Sequence, residues 1–190
     1  MTDTAPLLIG LTGYATAGKD AAAIPLIQAG YQRLSFADNL RRLAYDMNPL
    51  VAQPHAANPT YLANVVDSQG WDKAKENPSV RRVLQNLGLA ARDTFGPDCW
   101  VQALHEQRKY DQRYVITDVR FPNEADYIKT RGGILINITR PGVGPINDHP
   151  SETALSNYPA DYYITNDGTL QDLHKRVLHV LQEQESAAGA

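Results

Sequence analysis

Short apolar runs alternate with segments of helical spacing along the whole chain. That alternation predicts a mostly parallel sheet covered by helices on both faces, a three-layer α/β/α fold. Strands are expected at Leu7 to Thr12, Tyr31 to Phe36, Tyr114 to Asp118, Ile134 to Thr139 and Tyr162 to Thr165, making the sheet five-stranded. Helices are expected over Asp20 to Ala29 (stopped by Gly30), Asp38 to Met47, Ser79 to Phe95 and Asp98 to Arg108. Two more follow, over Asn123 to Thr130 (stopped by Gly132-Gly133) and over Leu170 to Glu185. Pro25 falls in the second turn of the first helix and should kink it or shorten its regular start. Asn48 to Pro59, rich in Pro, Asn and Ala, reads as a loop or insertion, and Tyr61 to Lys75 as short helices. Pro141 to Pro159 reads as a loop with about one helical turn, and Ser186 to Ala190 as a frayed tail. Neither a repeat nor a domain-splitting linker interrupts the pattern. One domain over 1–190 is expected, with a helical region at 37–110 and a lid-like segment at 141–159.

In such sheets ligands sit beyond the carboxyl ends of the strands. There the segment Gly13-Tyr14-Ala15-Thr16-Ala17-Gly18-Lys19 leaves the first strand and opens into a helix. Backbone N–H groups at a helix N-terminus point at an anion, and the local dipole favours negative charge. Gly13 and Gly18 let the loop turn tightly, and Lys19 can reach the β- and γ-phosphates of a nucleotide. Asp20 stands where the usual pattern has Ser or Thr. A carboxylate is also a hard oxygen ligand for Mg²⁺, so metal dependence should be strong. The plainer alternative, a flexible Gly/Ala turn with a solvent lysine, leaves the strand before and the helix after unexplained.

On a helix at about 100° per residue, Val80, Val83, Leu84, Leu87 and Ala91 share one face. Arg81, Gln85, Gly88 and Arg92 form a stripe beside it, while Arg82 points to solvent. A guanidinium, an amide one turn on and a glycine that admits close approach suit a nucleoside monophosphate. An ordinary amphipathic helix with exposed arginines would show the same spacing. In Val115-Ile116-Thr117-Asp118-Val119-Arg120-Phe121-Pro122-Asn123-Glu124, a strand ends in Asp118, which can hold magnesium directly or through water. Arg120 is suited to phosphate charge. Glu124 either orients Arg120 or a substrate hydroxyl, or simply favours the helix dipole. Asn166-Asp167-Gly168-Thr169 is a turn and helix cap that could also meet a nucleobase, as could Arg140. Val143 to Leu155, including Asp148-His149-Pro150-Ser151-Glu152, could form a mobile cover. Of the histidines only His149 lies near candidate chemistry; His55, His105, His174 and His179 are expected on surfaces. Phe36 and Trp100 suit a core as well as a base platform.

Composition narrows the partners. The net charge of −3 excludes a nucleic-acid-coating surface, while clustered arginines still admit small anionic substrates. Cys99 is the only cysteine, so neither an intrachain disulfide nor a cysteine metal cluster is available. A 43% hydrophobic and 21% charged content, with no bilayer-length apolar run and no signal-like N-terminus, points to a soluble cytoplasmic protein.

Taken in order, Gly13–Asp20, Phe36-Ala37-Asp38-Asn39-Leu40-Arg41 and Val80–Gly88 resemble the deoxynucleoside monophosphate kinases of tailed bacteriophages, within the P-loop NMP-kinase superfamily. Trp100-Val101, Thr117–Arg120, Thr139–Gly142 and Ile164–Leu170 continue the likeness. The resemblance implies transfer of the ATP γ-phosphoryl group to a dNMP with Mg²⁺, in a host cytoplasm if phage-encoded. By it, Gly13 to Asp20 with Arg140 and Asn166 bind ATP, and Asp20 and Asp118 serve the metal. Lys19, Arg81, Asp118 and Arg120 carry catalysis. Phe36, Arg41, Arg81, Gln85, Gly88, Trp100, Asp118, Arg120 and Glu124 receive the acceptor. Ala21 departs from the family in replacing a hydroxyl residue, and Asn48 to Lys75 matches it poorly. A kinase for another phosphorylated acceptor (dephospho-coenzyme A or phosphomevalonate) would use the same loop. A catalytically inactive nucleotide-binding protein would also keep it. Neither a membrane nor a nucleic-acid partner is implied, and a homodimer is compatible with the chain.

Overall fold

The computed structural model describes residues 7–53 and 58–188. His55 lies outside them, as do the last two residues of the tail. The chain divides into two compact units, one running to Ser35 and resuming at Leu104, the other Phe36–Ala103.

The first unit holds a five-stranded sheet of β1 (Leu8–Thr12), β2 (Gln32–Leu34), β5 (Tyr114–Ile116), β6 (Ile134–Thr139) and β7 (Tyr162–Thr165). Their spatial order is β2-β5-β1-β6-β7, and every pairing is parallel. The central strands read as continuous apolar runs because helices cover both faces. Ile9, Leu11, Ile136, Ile138 and Ile164 pack against α1 (Lys19–Gln28) and α8 (Leu170–Ala188) through Ala22, Ala23, Leu26, Leu173 and Val177. On the opposite face α6 (Pro122–Lys129) approaches so closely that a Cβ on Gly10 would meet Ile128 Cδ1 at 2.5 Å. Burying a side chain such as Ile136 contributes roughly 2 kcal/mol.

Two expectations change here. Pro25 lies inside α1, which runs from Lys19 to Gln28. Proline cannot donate to the carbonyl four residues back, and the His174 ring on α8 bonds that Ala21 oxygen through Nε2 at 3.1 Å. His174 is therefore a half-buried brace rather than a surface residue. The helix at the C-terminus also runs past Glu185 to Ala188, so Ser186 and Ala187 are helical rather than frayed.

The second unit contains α2 (Phe36–Met47), a hairpin of β3 (Leu50–Val51) and β4 (Thr60–Tyr61), α3 (Leu62–Ala74) and α4 (Pro78–Phe95). It also holds most of α5 (Cys99–His105). β3 lies in the segment expected as a loop or insertion, and β4 reaches Tyr61, the first residue of the segment expected as short helices. Gly70, at φ 76° and ψ 164°, breaks α3 into the short helices anticipated from its pattern. The apolar face of α4 is as spaced: Val80 is buried with Ala44, Val51, Leu62, Val65 and Ala74, and Val83, Leu84 and Leu87 pack against them. Asn77 caps α4 by accepting from Ser79 N at 2.8 Å, and its amide donates to Ala52 O at 2.8 Å.

Candidate functional site

The loop between β1 and α1 is shaped by its glycines. Gly13 has φ +132°, and a Cβ there would lie 2.1 Å from Ile138 O. Gly18 has φ +107°, and a Cβ there would meet Asn166 Nδ2 at 2.5 Å. Neither position admits another residue without moving backbone or a neighbour. Thr16, also at positive φ (66°), forms the exposed tip. Asn166 donates from Nδ2 to Ala17 O at 2.9 Å, so this candidate nucleotide contact also braces the loop.

Lys19 opens α1 with only 8% of its surface exposed. Its Nζ donates to Gly13 O at 2.7 Å and to Tyr14 O at 2.8 Å, both carbonyls of the loop. Burial, and next the nearby Arg120 charge, lower its pKa to about 8; Asp20, Glu152 and Asp118 oppose that shift. One further cation and three carboxylates thus act on the Lys19 charge.

Arg120 is fastened at both ends. Its backbone N–H donates to Glu124 Oε2 at 2.8 Å, and Phe121 N donates to the same oxygen at 3.1 Å. Glu124 is 2% exposed and so spends that oxygen on the start of α6 and the backbone of Arg120. The guanidinium Nη1 donates to Ser151 O at 3.0 Å and to Glu152 Oε1 at 2.6 Å, both on α7 (Pro150–Thr153). Asp118, two residues past β5, accepts from Ser35 Oγ at 2.7 Å. Beside these groups lies a cavity of about 290 Å³ lined by Thr12, Gly13, Tyr14, Arg120, Asn137 and Glu152 among others. Burial lowers the pKa of His149, which caps α7 by accepting from Ser151 N at 3.2 Å. Arg140 is exposed just beyond β6.

The helical unit carries the other residues picked from sequence. Phe36 is buried at the start of α2, and Arg41 Nη1 pairs with Asp38 Oδ1 at 3.1 Å. Arg81 Nη2 donates to Lys75 O at 3.2 Å, and Gln85 is half-buried one turn on. Trp100 is buried, and its indole N–H bonds Gly88 O at 3.2 Å, joining two of the selected positions. Arg82 is exposed, as its helical position required.

Sequence reasoning missed the pairing of Ser35 with Asp118 and of Glu152 with Arg120. The motif around His149 to Glu152 was visible, but its partner lies 32 residues away.

Among the described residues no group of three or more His, Cys, Asp or Glu could by itself hold a metal ion. The donors near Lys19 are carboxylate oxygens, Asp20 and Asp118 among them. Such a set fits Mg²⁺, which commonly takes one or two carboxylates together with nucleotide phosphates.

A strand, a glycine-bracketed loop, a lysine opening the next helix and a carboxylate beyond the neighbouring strand define a nucleotide-phosphate-binding α/β protein of the P-loop class. A family model described as deoxynucleotide monophosphate kinase matches residues 54–177. A protein of Acanthamoeba polyphaga mimivirus named for the same activity is 30% identical over 197 residues, covering 90% of this chain and 94% of that protein. The chain belongs to the deoxynucleotide monophosphate kinase family, whose members are ATP-dependent phosphotransferases. The deoxynucleotide monophosphate kinase of Enterobacteria phage T4 is 32% identical over 110 residues, 55% of this chain and 46% of that protein. Among solved structures, the dephospho-CoA kinase from Campylobacter jejuni is similar with a TM-score of 0.49 at 14% identity, covering 96% of this chain and 98% of the other. The fold assignment stands on this chain's own strand order.

Proposed function

We propose that this chain transfers the γ-phosphoryl group of ATP to a deoxynucleoside monophosphate, giving the diphosphate and ADP. The observation that carries the reading is the buried Lys19 ammonium held on Gly13 O and Tyr14 O, beside a cavity that Gly13, Tyr14 and Arg120 line together, at a loop that only glycines can form. Paired cations at a helix N-terminus gain most from an anion between them.

In this reading the amides of Gly13 to Gly18 and the Lys19 ammonium hold the ATP phosphates, with Asn166 fixing the loop and Arg140 meeting the nucleotide. Asp20 and Asp118 would hold Mg²⁺, which supplies charge neutralisation on the phosphates when bound. The acceptor phosphate is already an anionic nucleophile at neutral pH, so no general base is required. The protein's work is alignment and electrostatic stabilisation. Arg120 meets the transferring phosphate. Acceptor recognition is assigned to Arg41, Arg81 and Gln85 of the helical unit, with Phe36, Gly88 and Trp100 shaping their surroundings. Segment 141–159 acts as a lid. Among the described residues no helix is long and apolar enough to cross a membrane, and a cytoplasmic enzyme is the reading adopted. Monomer and homodimer serve it equally.

A coupled ADP-release assay tests this across dGMP, dTMP, dCMP, dAMP, their ribose counterparts, dephospho-coenzyme A and phosphomevalonate. ADP formation with at least one deoxynucleotide is expected. ATP binding without turnover of any monophosphate would make the chain a binding protein, and turnover confined to a non-nucleotide acceptor would reassign the substrate.

A further inference from the structure

Glu152 sits on a helix of only four residues, yet its side chain is 8% exposed. One of its oxygens takes the 2.6 Å bond from Arg120 Nη1; the other, also buried, has no hydrogen-bond partner among the described residues. A half-unpaired buried carboxylate is costly, and a purely structural clasp for this turn does not need one. The turn is already fastened by Ser151 O on Arg120 and by His149 on Ser151 N. The bonds to Ser151 and Glu152 use both Nη1 hydrogens. The Nε and Nη2 edge has no partner among the described residues, and it is the edge that can take two phosphate oxygens in parallel. The backbone under the same side chain is fixed by Glu124.

We propose that Glu152 is a positioning residue for phosphoryl transfer. It holds the Arg120 guanidinium by one corner and presents the opposite edge to the phosphate. This rests on the reading of Arg120 as a phosphate contact. An arginine fixed before the substrate arrives loses less side-chain freedom in the transition state, so the gain falls on kcat rather than on substrate affinity.

The test is a double-mutant cycle on kcat and KM with Arg120→Ala, Glu152→Ala and the pair, with Glu152→Gln alongside. Glu152→Ala should lower kcat at least tenfold while both KM values move less than threefold. The paired substitution should be no slower than Arg120→Ala alone, because Glu152 acts only through that side chain. Glu152→Gln, whose amide oxygen can accept the same Nη1 bond, should recover most of the lost kcat. Losses that multiply, a near-normal Glu152→Ala, or no recovery with Gln would overturn the proposal. If Glu152→Ala does not fold, Glu152→Asp, one methylene short of Arg120, takes its place in the cycle. A different failure marks the underlying reading: should Arg120→Ala itself keep near-normal kcat, Arg120 is not a phosphate contact.

Discussion

Replacing Lys19 with Met should remove turnover and raise stability together. At pH 7 the folded protein keeps Lys19 charged although its pKa has fallen from 10.5 to about 8. A depression of that size corresponds to about 3 kcal/mol against the charged folded state. Met fills a similar volume without the charge, but leaves Gly13 O and Tyr14 O without their Nζ donor, at about 1 kcal/mol each. The net gain is on the order of 1 kcal/mol, a rise in Tm of about 2–4 °C for a chain of this size. The pH dependence supplies a second check. Between about 8 and 10.5 the unfolded chain binds more protons at this site than the folded one, so wild-type stability rises with pH there. The advantage of the Met variant should therefore shrink across that window. Differential scanning calorimetry at pH 7 and 9.5, with the ADP-release assay on the same samples, measures all of it. A Met variant that melts several degrees below wild type, or whose advantage grows with pH, would refute the account of Lys19 as a strained, functional charge. So would one that turns over within tenfold of normal.

Three shorter predictions follow from the same geometry. Gly13→Ala puts a Cβ 2.1 Å from Ile138 O at a positive φ, so Tm should fall by at least about 5 °C in thermal melts and ATP binding should be lost. Arg81→Ala should raise the KM for the dNMP by about tenfold or more, as for a lost charged hydrogen bond, with ATP affinity unchanged; isothermal titration with each nucleotide checks the assignment. In wild type, kcat/KM for ATP should fall on the alkaline side with a midpoint about pH 8, because the free enzyme loses the Lys19 proton there. The profile of kcat itself should be displaced upward, since bound phosphate favours the ammonium.

Local patterns were legible because their physics is local. The loop from Gly13 to Lys19 carries its backbone requirement in its own glycines. The α4 stripe of Arg81 and Gln85 follows from helical spacing, with Val80 and Ala91 buried beside it and Arg82 outside. The hairpin of β3 and β4 escaped notice because each strand is two residues long and its pairing of Leu50 with Tyr61 spans a loop.

By itself, then, the chain determined its alternating elements, its phosphate loop and the arginine-bearing helix, since each depends on neighbours within a few turns. Tertiary structure alone decided which distant groups meet. Ser35 reaches Asp118 across 83 residues, His174 takes the carbonyl that Pro25 orphans, and Glu152 grips Arg120. Strand order and helix packing create those juxtapositions, and no spacing along the sequence encodes them. The charge on Lys19 shows the same division: the lysine was plain in the sequence, but burial, which only the fold supplies, brings its pKa down to about 8.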